Sequence, residues 1–192
     1  PLSNIVFMGM GEPLMNYKNL TNAIDKITNP EAFGMSPSRI TVSTSGIPKM
    51  IIKMANDQVR FGLAVSLHSA RQNVRDQLMP LAEKFPLEEL AKAIQYWYSK
   101  TYKPVTYEYI VWKGINDQDE DIKALVDFCK IYPSKVNLIE YNPIGDEEFL
   151  QAEKDRIEAY ETALEVNRIS VTIRRSRGKD IDAACGQLAN KP

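Results

Sequence analysis

The 192-residue sequence predicts an α/β fold: a partial barrel of mostly parallel strands, in a single domain over residues 1–192. Three observations lead there. Apolar or β-branched runs alternate with helical periods at a spacing of roughly 30 residues, the signature of right-handed β-α-β units laid into one sheet. Glycines and polar side chains gather where those runs end, at Gly11-Glu12, Ser43, Ser66-Leu67-His68 and Asn142, and in barrel-like α/β proteins that face carries the site. The composition, 44% apolar and 26% charged, is that of a globular chain with ample sequence for a core. An open doubly wound sheet is the competing architecture, but it would concentrate its glycines after the first strand.

The elements follow in order. Residues 5–8 are a continuous apolar run, expected to be a strand buried on both faces. Gly9-Met10-Gly11-Glu12 ends it, where glycines allow close backbone approach to a ligand and Glu12 adds a fixed negative charge. Leu20, Ala23, Ile24 and Ile27 then recur at helical spacing. Residues 39–46 are β-branched at Ile40, Thr41, Val42 and Thr44 and predict a second strand. The hydroxyls of Ser43-Thr44-Ser45 at its end can serve as turn formers or as donors to a carboxylate or phosphate. Residues 48–56 predict a short helix with Met50, Ile51 and Met54 inward.

A third strand over residues 63–68 ends on His68, the one histidine of the chain. A lone histidine there is more often structural than catalytic, and no second histidine or nearby cysteine offers a metal site. Leu87, Leu90, Ala91, Ile94, Trp97 and Tyr98 predict an amphipathic helix behind Pro86. Residues 105–112 predict the fourth strand, followed by a turn at Gly114-Ile115-Asn116-Asp117. The next helix carries Ile122, Leu125, Val126 and Cys129 on one face, which makes Cys129 a packing residue. Residues 136–143 predict the fifth strand, an acidic helix with Ile157, Tyr160 and Leu164 inward follows, and residues 169–173 alternate as a sixth strand.

The C-terminal stretch concentrates reactive chemistry. Arg168, Arg174, Arg175, Arg177 and Lys179 have no acid among them, and Asp180 and Asp182 precede Cys185, which sits between Ala184 and Gly186. Small neighbours leave the sulfur open, and positive charge favours its thiolate. The residues alone leave a second reading standing: a small buried hydrophobe, the commoner role of a free cysteine. Two cysteines make no disulfide framework, so a reducing cytoplasmic setting is expected. No apolar run approaches the ~18 residues of a membrane span, and no signal-peptide pattern is present. The net charge of −1 does not advertise a nucleic-acid binder, although bases cluster after residue 168 and acids before it. The chain begins without Met and reads as strand almost at once, so a piece of a longer protein is expected.

GMGEPL after the first strand, STSG, SLH, YNP and GKDIDAACGQL, in this order and spacing, resemble the RlmN/Cfr family of radical S-adenosylmethionine (SAM) RNA methyltransferases. The resemblance covers essentially the whole chain, and DIDAACGQL is its most specific part. Glu12-Pro13 and Ser43-Thr44-Ser45 resemble the branch that methylates C2 of adenosine; the alternative is the branch that acts at C8. The resemblance implies a radical-SAM-type (β/α)6 barrel lacking its first strand. It implies Gly11 and Glu12 on the amino group of SAM, Ser43 on its carboxylate, Ser66, Leu67 and His68 at the ribose, and Asn142 at the adenosine portion.

Cys185 would be the methyl carrier, methylated by one SAM. A second SAM, cleaved reductively at a 4Fe–4S cluster, would yield a 5′-deoxyadenosyl radical that takes hydrogen from the S-methyl group, and the resulting methylene would add to the adenine carbon. The detour has a chemical reason: C2 of adenine is no nucleophile and cannot attack SAM directly. The implied partners are 23S rRNA and tRNA and an electron donor for the cluster, with no membrane and a monomeric state. Arg174, Arg175, Arg177 and Lys179 are expected to meet RNA through its phosphates. Against the family pattern, the CxxxCxxC motif is absent, and two cysteines cannot supply three cluster ligands, so no metal site is assigned to this chain. A cluster-free RNA-binding module is the reading of a different class. A cysteine hydrolase is weaker, because it needs a general base beside Cys185.

Overall fold

The computed structural model describes residues 2–9, 11–142 and 149–174. Its element order is β1 (Ile5–Phe7), α1 (Tyr17–Thr28), β2 (Ile40–Thr44), α2 (Pro48–Asn56), β3 (Gly62–Ser66), α3 (Gln72–Leu78), α4 (Leu87–Thr101), β4 (Val105–Val111), α5 (Asp119–Cys129), β5 (Ser134–Glu140), α6 (Lys154–Val166) and β6 (Ser170–Arg174). The six strands form one sheet in the order β1-β2-β3-β4-β5-β6, and every neighbouring pair is parallel. The open doubly wound alternative would need a point where the strand order reverses, and none occurs among the described strands. With right-handed crossovers and strands added always on the same side, the helices fall on one face of the sheet and leave the other free.

Side-chain alternation sorts the strands between those faces. Val42, Val65, Tyr107, Tyr109 and Leu138 join the apolar core with Ile51 and Met54 of α2, Leu90, Ile94 and Trp97 of α4, and Leu164 of α6. Their neighbours Ser43, Ser66, Glu108 and Ile139 line a cavity on the opposite face. That face is concave. At the end of β6, Arg174 Nη1 lies 3.7 Å from Met8 Sδ, just past β1. In a flat sheet these outer strands would stand about 24 Å apart, five strand spacings, beyond an arginine's reach.

Local chemistry accounts for the helix starts. Pro48 opens α2, where its missing N–H costs nothing. Pro86 precedes α4 as its N-cap, and Glu88 and Glu89 occupy the first turn. The Asp121 carboxylate accepts from the Gln118 amide at the start of α5 (3.1 Å). Among the described residues, no helix is long and apolar enough to cross a membrane.

Two features differ from the sequence expectation. β1 is not buried on both faces: Val6 is 53% exposed, because β1 pairs only with β2 among the described residues and stands at an edge. The short helix α3 was not foreseen, since its inward residues are Val74 and an arginine, Arg75. Cys129 lies in the core as its spacing predicts, and burial pushes its thiol up to about 12, far from nucleophilic chemistry.

Candidate functional site

A cavity of about 640 Å³ opens at the carboxyl ends of the strands, and all six contribute to its wall. Gly9, Gly11 and Glu12 follow β1, Ser43 closes β2, Ser66 and His68 close β3, and Glu108, Ile139 and Arg174 come from β4, β5 and β6. The volume lies within the usual range for small-molecule sites. Leu78 and Met79 at the end of α3, with Trp112 after β4, supply an apolar side.

Glu12 is the most firmly held acid of this rim. Its Oε1 accepts from the Leu14 amide (3.0 Å), and its Oε2 accepts from the amide and hydroxyl of Ser45 (2.7 and 2.6 Å). A carboxylate has about four lone-pair positions, so these three donors fix its orientation and leave capacity for a cation. Gly11, in front of it, has φ +86°, a left-handed conformation that side chains rarely adopt.

His68 also sits in the left-handed region, at φ 55°. Its Nδ1 accepts from the Ile110 amide (3.2 Å), a donor the sheet would otherwise use in its ladder. Burial, with Arg75 nearby as the lesser cause, lowers its pKa from the ordinary 6.5 to about 4. The ring is therefore neutral at pH 7, and with Nδ1 an acceptor its proton resides on Nε2. Asn116 fixes the surroundings: its Nδ2 donates to the carbonyls of His68 (2.7 Å) and Ile110 (2.8 Å), and its Oδ1 accepts from the Trp112 amide (2.7 Å).

On the concave face, Glu108 is buried and accepts from Asn137 Nδ2 (2.8 Å) and Arg174 Nη1 (3.2 Å). Sequence reasoning placed Arg174 in a basic run expected to meet RNA phosphates; the structure places it in β6 and in the cavity wall, because a β6 side chain of that parity faces the buried carboxylate of Glu108. Arg175, Arg177, Lys179 and Cys185 lie outside the described residues.

Of the expected SAM contacts, Gly11, Glu12, Ser43, Ser66 and His68 come together in one cavity. Leu67 and Asn142 do not line it. Leu67 is fully buried and turns its side chain to the core, as strand alternation between Ser66 and His68 requires. Asn142 is buried beside the rim, 3% exposed. Sequence reasoning also passed over Glu108, Asn116, Trp112 and Arg75; a carboxylate between the apolar Tyr107 and Tyr109 was the one available signal among them.

No family model matches the chain. A protein of Christiangramia forsetii named "Probable dual-specificity RNA methyltransferase RlmN" is 67% identical over 191 residues, covering 100% of this chain and 54% of that protein. Its namesake in Flavobacterium psychrophilum is 66% identical over 191 residues, covering 100% of this chain and 55% of its own length. The chain belongs to the RlmN family. It spans about half the length of the curated relatives it matches. The crystal structure of a radical SAM methyltransferase from Sphaerobacter thermophilus superposes with a TM-score of 0.93 at 38% identity, covering 97% of this chain and 55% of that one. A domain of a pyruvate-formate lyase-activating enzyme from Bacteroides vulgatus matches at TM-score 0.67 and 18% identity, over 91% of this chain and 100% of that one, which is a likeness of fold alone.

The RlmN family, as radical SAM enzymes, implies two groups, and the residues present suit one of them. An anchored carboxylate, two serine hydroxyls, a neutral imidazole N–H and an apolar wall match an amino acid joined to a nucleoside, as in SAM. The cluster does not fit. The chain has two cysteines, the described one is buried in the core, and no three His, Cys, Asp or Glu side chains converge as ligands among the described residues.

Proposed function

We propose that this RlmN-family chain is the SAM-binding and methyl-carrying part of a radical SAM enzyme that methylates C2 of adenosine in 23S rRNA and tRNA. The observation that carries this is the rim cavity, with Glu12, Ser43, Ser66 and His68 at the ends of three consecutive strands, in a chain so close to RlmN-named relatives. Within the whole protein the chain acts as one domain, ending in the segment that bears Cys185. The cluster and its electron donor belong to parts of the enzyme other than these residues.

Each residue has a definite task. Glu12, already aligned by Leu14 and Ser45, accepts from the ligand's ammonium group in charge-assisted hydrogen bonds. The Ser43 hydroxyl donates to the ligand's carboxylate. Ser66 and the Nε2–H of His68 meet the ribose hydroxyls, and the neutral state of His68 avoids a second positive charge beside a sulfonium. Leu78, Met79 and Trp112 keep water from the apolar side. SAM, held by Glu12, Ser43, Ser66 and His68, would supply an electrophilic methyl group and, with an external electron, radical chemistry. The Cys185 thiolate would take the methyl as the sulfonium–methyl bond breaks, releasing S-adenosylhomocysteine, and the small neighbours Ala184 and Gly186 in sequence suit a sulfur that must meet a target base drawn out of its stack.

Calorimetric titration with SAM, combined with mass spectrometry of the full-length enzyme, tests the reading. Glu12→Gln should weaken SAM binding tenfold or more, as expected for losing a charge-assisted bond of about 1.5–3 kcal/mol. Cys185→Ala should leave SAM binding intact and abolish methyl transfer to RNA, with the extra methyl found on Cys185 in the wild type. Undiminished RNA methylation by Cys185→Ala would overturn the methyl-carrier assignment, and a product methylated at C8 would overturn the regiochemistry.

A further inference from the structure

Arg75, on α3, is the one buried cation among the described residues, with no surface accessible to solvent. It makes no ion pair among those residues. Instead Nη2 donates to the carbonyl of Ser45 (2.7 Å) and Nε to the carbonyl of Leu67 (3.2 Å), while Nη1 is buried without a partner. Burial lowers its pKa to about 10, so it keeps its charge at neutral pH. A buried, unpaired guanidinium is costly, and Leu or Met would pack the same space without that cost.

The two carbonyls are not arbitrary. Pairing of β2 with β3 ends at Thr44 and Val65, and beyond that point the chains part to form the rim. Arg75 spans the gap where the ladder stops. Ser45 is the residue whose amide and hydroxyl hold Glu12, and Leu67 immediately precedes His68. The space is kept free at Gly46, where φ is +97° and an added Cβ would stand 3.3 Å from Arg75 Nη2.

We infer that Arg75 is a positioning residue of the ligand pocket: by bridging Ser45 and Leu67 it sets the separation between the Glu12 arm and the His68 arm, and so the fit of a ligand that reaches both. The inference rests on the SAM reading above for the ligand, but not for the bridge. A ligand gripped at both ends depends on that separation; one gripped at the nucleoside end alone does not. Arginine suits the task because its planar fork can address two carbonyls at once, which lysine's single ammonium does with far less directional control.

The test compares wild type, Arg75→Lys and Arg75→Gln in the 192-residue chain, using S-adenosylhomocysteine as the two-ended probe and 5′-methylthioadenosine as the nucleoside half. Arg75→Lys should weaken S-adenosylhomocysteine at least tenfold and 5′-methylthioadenosine less than threefold. Arg75→Gln removes the buried charge and its desolvation, so it serves if the lysine variant does not fold, with the same pattern expected. Amide hydrogen exchange adds a ligand-free readout: it should quicken at Ser45 and Leu67 while Val42 and Val65 in the same strands stay protected. Equal weakening of both probes with uniform loss of protection would show a merely structural arginine and overturn the inference. Wild-type chain that binds neither probe would remove the SAM reading, and selective exchange at Ser45 and Leu67 would then decide the bridge alone.

Discussion

At His68 the backbone enters the left-handed region and the ring takes over a hydrogen bond from the sheet. The same placement gives it a pH signature. Its pKa falls to about 4 in the folded chain from the ordinary 6.5, so between those values the unfolded chain binds the extra proton. Stability contributed by the neutral ring is therefore complete above about pH 6.5 and is lost as pH falls toward 4, by on the order of 3 kcal/mol at most. Urea denaturation at pH 7 and pH 4.5, set against His68→Gln to cancel the carboxylates, checks this: the wild type should lose more stability than the variant. Equal losses would mean that His68 titrates normally. The rim residues were legible one at a time, because glycine, serine and histidine at strand ends interrupt an apolar pattern. Arg75 was not, since nothing in Gln72-Asn73-Val74-Arg75-Asp76 distinguishes a buried arginine from a solvated one.

Among the elements, the turn between β4 and α5 does more than connect them. The Asn116 side chain spends both its donors and its acceptor on the ends of β3 and β4 while fully buried. Asn116→Asp keeps the shape, loses both donors and sets a carboxylate against two carbonyls. It should cost about 2 kcal/mol or more, read as a lower urea midpoint at pH 7; an unchanged midpoint would show that the three bonds contribute nothing net. The long helices and central strands were legible because their apolar period is sustained, as in α4 and α5. Two elements were not. α3 has seven residues, too few for a period, and β1 carries an apolar sequence whose burial depends on what lies beside it and not on its own residues.

For the molecule as a whole, six parallel strands gather one cavity from six strand ends, and the chemistry expected of that cavity exceeds what this chain supplies. Two thiols, one of them locked in the core, cannot satisfy a cluster that takes three. Anaerobic reconstitution of the 192-residue chain should give no stoichiometric iron and sulfide, and a full complement of either would refute the ligand argument. Sequence sufficed for the α/β class and the shared rim, since both follow from the order of the elements. The contacts that tie the outer strands together were beyond it, because they join side chains far apart in the chain, Arg174 with Glu108 and Met8 above all.

The strand order has a bearing on how the molecule comes into being. Each strand lies beside its immediate predecessor, so the sheet can lengthen in the direction of synthesis, with a template already waiting for every new strand. Closing short loops first is entropically cheaper than closing long ones. The tie between Arg174 and Met8 bridges 166 positions of sequence and must wait for all six strands. A chain cut short of β6 would therefore carry Glu12 and His68 but lack the arginine that donates to Glu108.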